Sequence, residues 1–225
     1  MFAPIFACLL GCGEQVSITV QATAGPQAMA ETHFVLAASD PNVRPTNPDY
    51  VVISRAVARA LAARGFAESK TQEPGDLAVV IDWMVSEPKV VARHAGGDVG
   101  QPQVQGAAPG GKGGMPAGGT SNYGALGFGV EGQDRGELVY TRTVTLKAVD
   151  RGAYAIDPMA APVWSVTLTS EGDTDEVARF APQMVAAAMP YLATNAGKAH
   201  ARLGSAEDPV RYVRGDIPEL PAKKP

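Results

Sequence analysis

Asn47–Gly65, NPDYVVISRAVARALAARG, is the stretch of this 225-residue sequence that decides its fold. Asn47 is a favourable N-cap, Pro48 suits the first helical position, and Asp49 is favoured near the positive end of a helix. Gly65 suits the left-handed conformation that ends many helices. The pattern predicts one amphipathic helix whose apolar stripe is formed by Val52, Ile53, Ala56, Val57, Ala60 and Leu61.

Strand patterns lie on both sides of this helix. Alternating or short apolar runs predict strands over residues 16–20, 33–37, 77–85, 138–148 and 163–169. A second main helix is predicted to start at Pro182. Strands and helices in this order predict an α+β fold with two layers. We expect an antiparallel or mixed sheet of four to five strands, with two main helices on one face.

A glycine-rich segment interrupts the strand pattern. Of the 25 glycines, 15 lie between Gly96 and Gly136, where no hydrophobic period survives. Such a composition cannot offset its ordering entropy by burial, so we expect a mobile insertion at about 95–136. Its apolar side chains Tyr123, Leu126 and Phe128 make it a candidate partner-binding loop. A disordered spacer with incidental aromatic residues is the alternative.

The polar, proline-rich composition after residue 200 predicts a disordered tail over residues 201–225, which leaves a single domain at residues 12–200. The net charge of −4 and the lack of a Lys or Arg run argue against binding to nucleic acid. No apolar stretch approaches the roughly 20 residues that a membrane-spanning helix requires.

Known catalytic and metal-binding patterns are weak in this sequence. The segment from Gly106 to Lys112 resembles a phosphate-binding loop, but Gly113 stands where a Ser or Thr would bind Mg²⁺. The histidines His33, His94 and His200 are scattered, with no zinc-binding spacing. We therefore expect no catalytic residues, no metal, no cofactor and no enzymatic activity.

Both cysteines lie in Ala7–Glu14, ACLLGCGE. A metal site would need about four ligands, and a redox pair is normally spaced C-x-x-C. A local disulfide between Cys8 and Cys12 would stabilise little. The apolar run before Gly11, followed by polar residues, instead favours a processing signal.

The motif Leu9-Leu10-Gly11-Cys12 resembles the lipobox of bacterial lipoproteins. This resemblance implies a signal peptide over residues 1–11 and acyl chains such as palmitate on Cys12. Gly13 rather than Asp after the cysteine implies the outer membrane, with the protein facing the periplasm. The segment begins Met-Phe-Ala-Pro without the usual Lys or Arg, which is consistent with a truncated signal or an upstream start.

A wider resemblance rests on several short motifs taken together. They are the lipobox, Leu61–Phe66, Gly75–Val79, Gly136–Leu138, Val149-Asp150, Val163-Trp164 and Met189-Pro190. In this combination the chain resembles the bacterial envelope lipoproteins that share the domain of unknown function 4136. It departs from that family in its long glycine-rich insertion and at Ser165. The resemblance implies a fold and a location, not an activity.

Two functional hypotheses follow. The first is a noncatalytic lipoprotein that is anchored through Cys12 and acts as an accessory or scaffold for an envelope protein partner. The second is a carrier or binding module for a small apolar ligand or lipid, held in a pocket between sheet and helices.

Overall fold

The computed structural model describes residues 15–69, 76–92 and 136–221. The chain divides into two units, Met1–Lys89 with Val139–Pro225, and Val90–Leu138. The sequence predicts one domain over residues 12–200 with a mobile insertion at about 95–136, and residues 95–135 of that insertion lie outside the described residues. Within that second unit the structure describes residues 90–92 and 136–138.

Helix α1 (Pro48–Ala63) forms as the sequence predicts. The Asn47 side-chain oxygen accepts a hydrogen bond from the Tyr50 backbone N–H at 3.1 Å, and Gly65 follows the helix with φ of +90°. The predicted stripe is buried at Ile53, Ala56, Val57, Ala60 and Leu61. Val52, at the margin of the stripe, is 36% exposed, so the buried face is narrower than predicted.

Eight strands of the described chain form one mixed sheet. They are β1 (Gln15–Ala24), β2 (His33–Ala38), β3 (Ala67–Glu68), β4 (Leu77–Val85), β5 (Lys89–Ala92), β6 (Gly136–Asp150), β7 (Trp164–Gly172) and β8 (Gly197–Gly204). The order is β3-β2-β4-β6-β7-β1-β8, and β5 pairs with β6. β2 is parallel to β3 and β4, while β4–β6, β6–β7, β7–β1 and β1–β8 are antiparallel.

The predicted α+β class and the mixed sheet are confirmed, and the predicted count of four to five strands is wrong. Strands β3 and β5 are two and four residues long, too short for a period-two pattern. Strand β8 alternates Lys, His and Arg with alanines, whose strand propensity is low. Pairing with a neighbour, rather than local propensity, makes these segments strands.

Four helices are present in the described chain, not the two main helices expected. Besides α1 they are α2 (Arg151–Ile156), α3 (Val177–Ala188) and α4 (Asp208–Arg214), and α3 continues into a short 3-10 helix at Met189–Tyr191. α1, α3 and α4 pack against one another. α2 lies on the opposite face of the sheet, where its Tyr154 borders a cavity with Val80 and Val149. The sequence predicted two main helices on one face, whereas three of the four described helices lie there and α2 lies on the other face.

The core lies between the sheet and the layer of α1, α3 and α4. Pairing places Val20 opposite Leu168, and Leu168 opposite Val144, so apolar rows cross three strands. All three side chains are fully buried. Each such side chain contributes about 1.5–3 kcal/mol relative to an exposed one. Among the described residues, no helix is long and apolar enough to cross a bilayer.

The predicted disordered tail begins, in the structure, with the end of β8 and helix α4. Val210 and Val213 of α4 are 0% exposed. The Arg59 side chain donates hydrogen bonds to the carbonyl oxygens of Tyr212 at 2.5 Å and Ile217 at 2.7 Å. A helix of seven residues is too short to show an amphipathic pattern, and its order comes from packing on α1 and α3.

Candidate functional site

The strongest candidate site lies at β8, whose helix-facing side α3 contacts but covers only in part. The core-facing side chains of neighbouring β1 are buried. On β8 the corresponding Ala199, Ala201 and Leu203 are only partly buried. Since successive side chains of a strand point to opposite faces, these three share the helix-facing side. The helices therefore leave the inner face of β8 partly uncovered.

A surface groove of about 410 Å³ occupies this uncovered strip. Its described walls come from α3, the 3-10 helix with Pro190, β8, and Pro209 at the start of α4. The apolar side chains that line it are Ala186, Ala187, Met189, Tyr191, Ala201 and Leu203. Its volume is within the range of about 300–1,000 Å³ that is usual for ligand pockets. The groove therefore favours apolar groups of an occupant.

Arg64 is the charged residue of the groove wall. It is the C-cap residue of α1, a position where positive charge is favourable. Its Nη2 donates to the Leu192 carbonyl oxygen at 3.4 Å, while its Nε is buried and has no hydrogen-bond acceptor among the described residues. A buried donor without an acceptor costs roughly 1–3 kcal/mol. An acceptor group on an occupant would remove that cost.

β8 is an edge strand of the described sheet. It pairs with β1 along Gly197–Gly204, and no described strand lies on its other side. Edge strands present backbone N–H and C=O groups that can pair with another chain. Its solvent face carries Lys198, His200 and Arg202, and the His200 Nδ1 lies 3.2 Å from the Thr19 Oγ1.

The groove lining is apolar apart from Arg64 and the Tyr191 hydroxyl. Its described lining residues include no Ser, Cys, His or carboxylate that could act as a nucleophile or base. Elsewhere in the described chain, no three His, Cys, Asp or Glu side chains are placed to hold a metal ion. What the groove offers is apolar surface, one guanidinium and a free backbone edge.

The site residues predicted from sequence lie outside the described residues. These are the lipidation residue Cys12 and the loop residues Tyr123, Leu126 and Phe128. Sequence reasoning missed the groove entirely, because its residues are spread from Arg64 to Pro209 and belong to common apolar types. The local signal that could have indicated it was the alternation of small apolar and basic residues over Gly197–Gly204.

A polar cluster lies where β4 begins and β6 ends. Asp76 is 4% exposed, and its carboxylate pairs with the Arg151 guanidinium at 3.6 Å. Glu31 lies near this pair, and its Oε2 is buried without a hydrogen-bond partner among the described residues. Burial, and then the charges of Asp150 and Asp76, raise the pKa of Glu31 above 4.5. The folded protein therefore disfavours the ionised form of this carboxyl group.

Glu31→Gln is expected to stabilise the protein at neutral pH. Because the folded state holds the Glu31 proton more tightly than the unfolded chain does, stability decreases as pH rises from 4.5 through the folded pKa. The Gln variant cannot ionise, so its stability should decrease less over that range. Urea unfolding across this pH range measures the effect, with the exposed Glu87→Gln as the matched control. Identical pH profiles for wild type and Glu31→Gln would contradict this assignment.

Comparison with known proteins gives distant likenesses. No family model matches the chain, and no curated protein matches it. Among solved structures, the chain is similar to the PelC dodecamer from Paraburkholderia phytofirmans, at 16% identity and a TM-score of 0.36. A variant of that dodecamer matches at 18% identity and the same TM-score of 0.36. Both matches cover 79% of this chain and 98% of PelC.

The chain is also similar to a PDZ domain protein from Parabacteroides distasonis, at 13% identity and a TM-score of 0.41. That match covers 85% of this chain but only 40% of the other protein. At these TM-scores the likenesses are too weak to carry a function over to this chain.

Proposed function

We propose that the chain is a noncatalytic lipoprotein of the bacterial envelope, which binds a partner in the groove beside β8 and holds it near the outer membrane. The observation that carries the binding role is the apolar strip of β8 that the helices leave uncovered. Location and anchoring rest on the lipobox at Leu9–Cys12. The protein would act as an accessory or scaffold in an envelope assembly.

The position of Cys12 gives this proposal a definite orientation. Cys12 precedes β1 by three residues, which reach at most about 10 Å. Gln15, the first residue of β1, pairs with Gly204, the last residue of β8. Lipid on Cys12 would therefore keep this end of β8 close to the bilayer surface. A partner in the groove would be held beside the membrane.

Cys12→Ala is expected to move the protein from the membrane fraction to the soluble fraction. Several acyl chains are needed for stable anchoring, at about 0.8 kcal/mol for each buried CH₂ group, and this variant loses the thiol that would carry them. Metabolic labelling with a palmitate analogue and cell fractionation measure the change. Cys8→Ala is the matched control and should remain labelled and membrane-bound. Unchanged labelling of Cys12→Ala would show that the lipobox interpretation is wrong.

The alternative function is a carrier for a small apolar ligand or lipid. The observation that favours it is the apolar lining and the volume of about 410 Å³ of the groove. Buried side chains such as Trp164 and Phe180 lie between the sheet and the helices. The ligand of a carrier would therefore bind in the groove at the edge of the sheet, not in the pocket between sheet and helices that this hypothesis expected. A carrier would bind a fluorescent fatty acid there.

A further inference from the structure

We propose that the groove binds the C-terminal segment of another protein as an added β-strand, with alternate apolar side chains in the groove and the terminal carboxylate on Arg64. The inference rests on the proposed function in that this groove is the binding site. It does not depend on the lipid anchor.

The free edge of β8 supplies the backbone pairing. An extended segment laid beside Gly197–Gly204 would continue the sheet, which is a common mode of peptide recognition. Alternate side chains of that segment would then face the same side as Ala201 and Leu203, which line the groove. Backbone pairing provides affinity for any extended chain, and the groove selects apolar residues at every second position.

The two faces of β8 differ in charge, and this difference determines which residues are favoured between the apolar positions of the bound segment. Side chains on the solvent face of the added strand would lie beside Lys198, His200 and Arg202. Opposite charges on neighbouring strands stabilise their pairing by roughly 0.2–1 kcal/mol for each pair. Acidic residues are therefore favoured between the apolar positions.

Arg64 is the residue that would bind the C-terminal end of the segment. It is the charged residue in an apolar wall, and its buried Nε lacks an acceptor among the described residues. A carboxylate can accept hydrogen bonds from a guanidinium, and such charged bonds are about twice as strong as neutral ones. A terminal α-carboxylate would supply that acceptor while every groove-facing side chain of the segment stays apolar.

The test uses the full-length chain with Cys12→Ala and a peptide library displayed with free C-termini. Selection is expected to enrich segments in which apolar and acidic residues alternate before the terminal carboxylate. The best binder is then synthesised as the free acid, as the C-terminal amide, and with single N-methylated backbone amides. Amidation should weaken binding about tenfold or more, because it removes the charged bond to Arg64. N-methylation should abolish binding at amides that face β8 and change it by less than about threefold at the amides between them.

Protein variants supply the controls. Arg64→Gln should remove the difference between free acid and amide, and Ala201→Arg should block the groove and abolish binding. Thr167→Arg is the matched control on the opposite face of the sheet and should bind as wild type does. If Ala201→Arg fails to fold, the N-methylated peptides still test the pairing, because they leave the protein unchanged.

Four outcomes would overturn this inference. The first is a selection that enriches no segment, and the second is binding that N-methylation at every position leaves intact. The third is a dimer in sedimentation that Ala201→Arg dissociates, which would assign the edge to a second copy of the chain. The fourth is a fluorescent fatty acid that occupies the groove in place of the peptides. Failure of the Cys12 fractionation experiment would contradict the anchor and leave the peptide result unaffected.

Discussion

Val213→Asp is expected to lower the free energy of unfolding by about 4 kcal/mol or more, because it loses a buried valine and places a carboxylate in an apolar site. Val213 is 0% exposed, on the face of α4 that packs against α1 and α3. Domains of this size have a stability of about 5–15 kcal/mol, so the loss would unfold a large part of the population. Urea unfolding followed by circular dichroism measures it.

The matched control for this prediction is Arg211→Ala on the exposed side of the same helix. It removes a surface ion pair with Asp208 at 3.3 Å, which contributes less than about 1 kcal/mol. If Val213→Asp were as mild as Arg211→Ala, α4 would not be packed on the domain. The composition-based prediction of a disordered tail would then stand.

Phe180→Ala is expected to destabilise the protein by about 3–5 kcal/mol, the usual cost of removing a buried phenylalanine side chain. Phe180 is 1% exposed, and the Arg142 guanidinium carbon lies 3.8 Å from the centre of its ring. Arg142 is itself 1% exposed, so the ring face offsets part of the cost of burying its charge. Removal of the ring creates a cavity and weakens the environment of a buried cation.

Phe180→Leu separates these two effects, because it keeps most of the apolar volume and removes the ring. We expect it to cost about 1–2 kcal/mol, chiefly through the lost contact with Arg142. Arg179 lies above the same ring at 5.2 Å with a side chain that is 53% exposed, so Arg179→Ala is the matched control. A Phe180→Leu variant as stable as wild type would show that the ring contributes volume alone.

Gly172 lies beside the buried Arg142 guanidinium. A Cβ atom at this position would lie 2.5 Å from the Arg142 Nη2, too close for van der Waals contact. The glycine therefore gives the buried guanidinium its space. The sequence offers no sign of this, because Arg142 and Gly172 are thirty residues apart on neighbouring strands.

Much of the fold was predictable where local pattern and burial agree. Helix α1 and strands β4 and β7 have periodic patterns long enough to define both element and face. These elements were predictable because their own apolar side chains indicate which side faces the core. The predicted start of the second helix at Pro182 is wrong, because α3 runs over Val177–Ala188 with Pro182 inside it.

The candidate site was not predictable in the same way. Its residues are mostly ordinary apolar side chains, and what makes them a site is that the helices cover β8 only in part. Coverage of one element by another depends on the lengths and angles of several packed segments. No single segment carries that information.

The sequence by itself determined the class of the fold, the first helix with its buried face, and the hypothesis of a lipid anchor at Cys12. Those features depend on neighbours along the chain, whose spacing sets periodicity, capping and motif. Only the tertiary structure decided that β8 and α4 are ordered, that β8 is an edge, and that Arg64 borders an apolar groove. Those features depend on which distant segments supply hydrogen-bond partners and apolar contacts, because isolated short strands and helices are not stable by themselves.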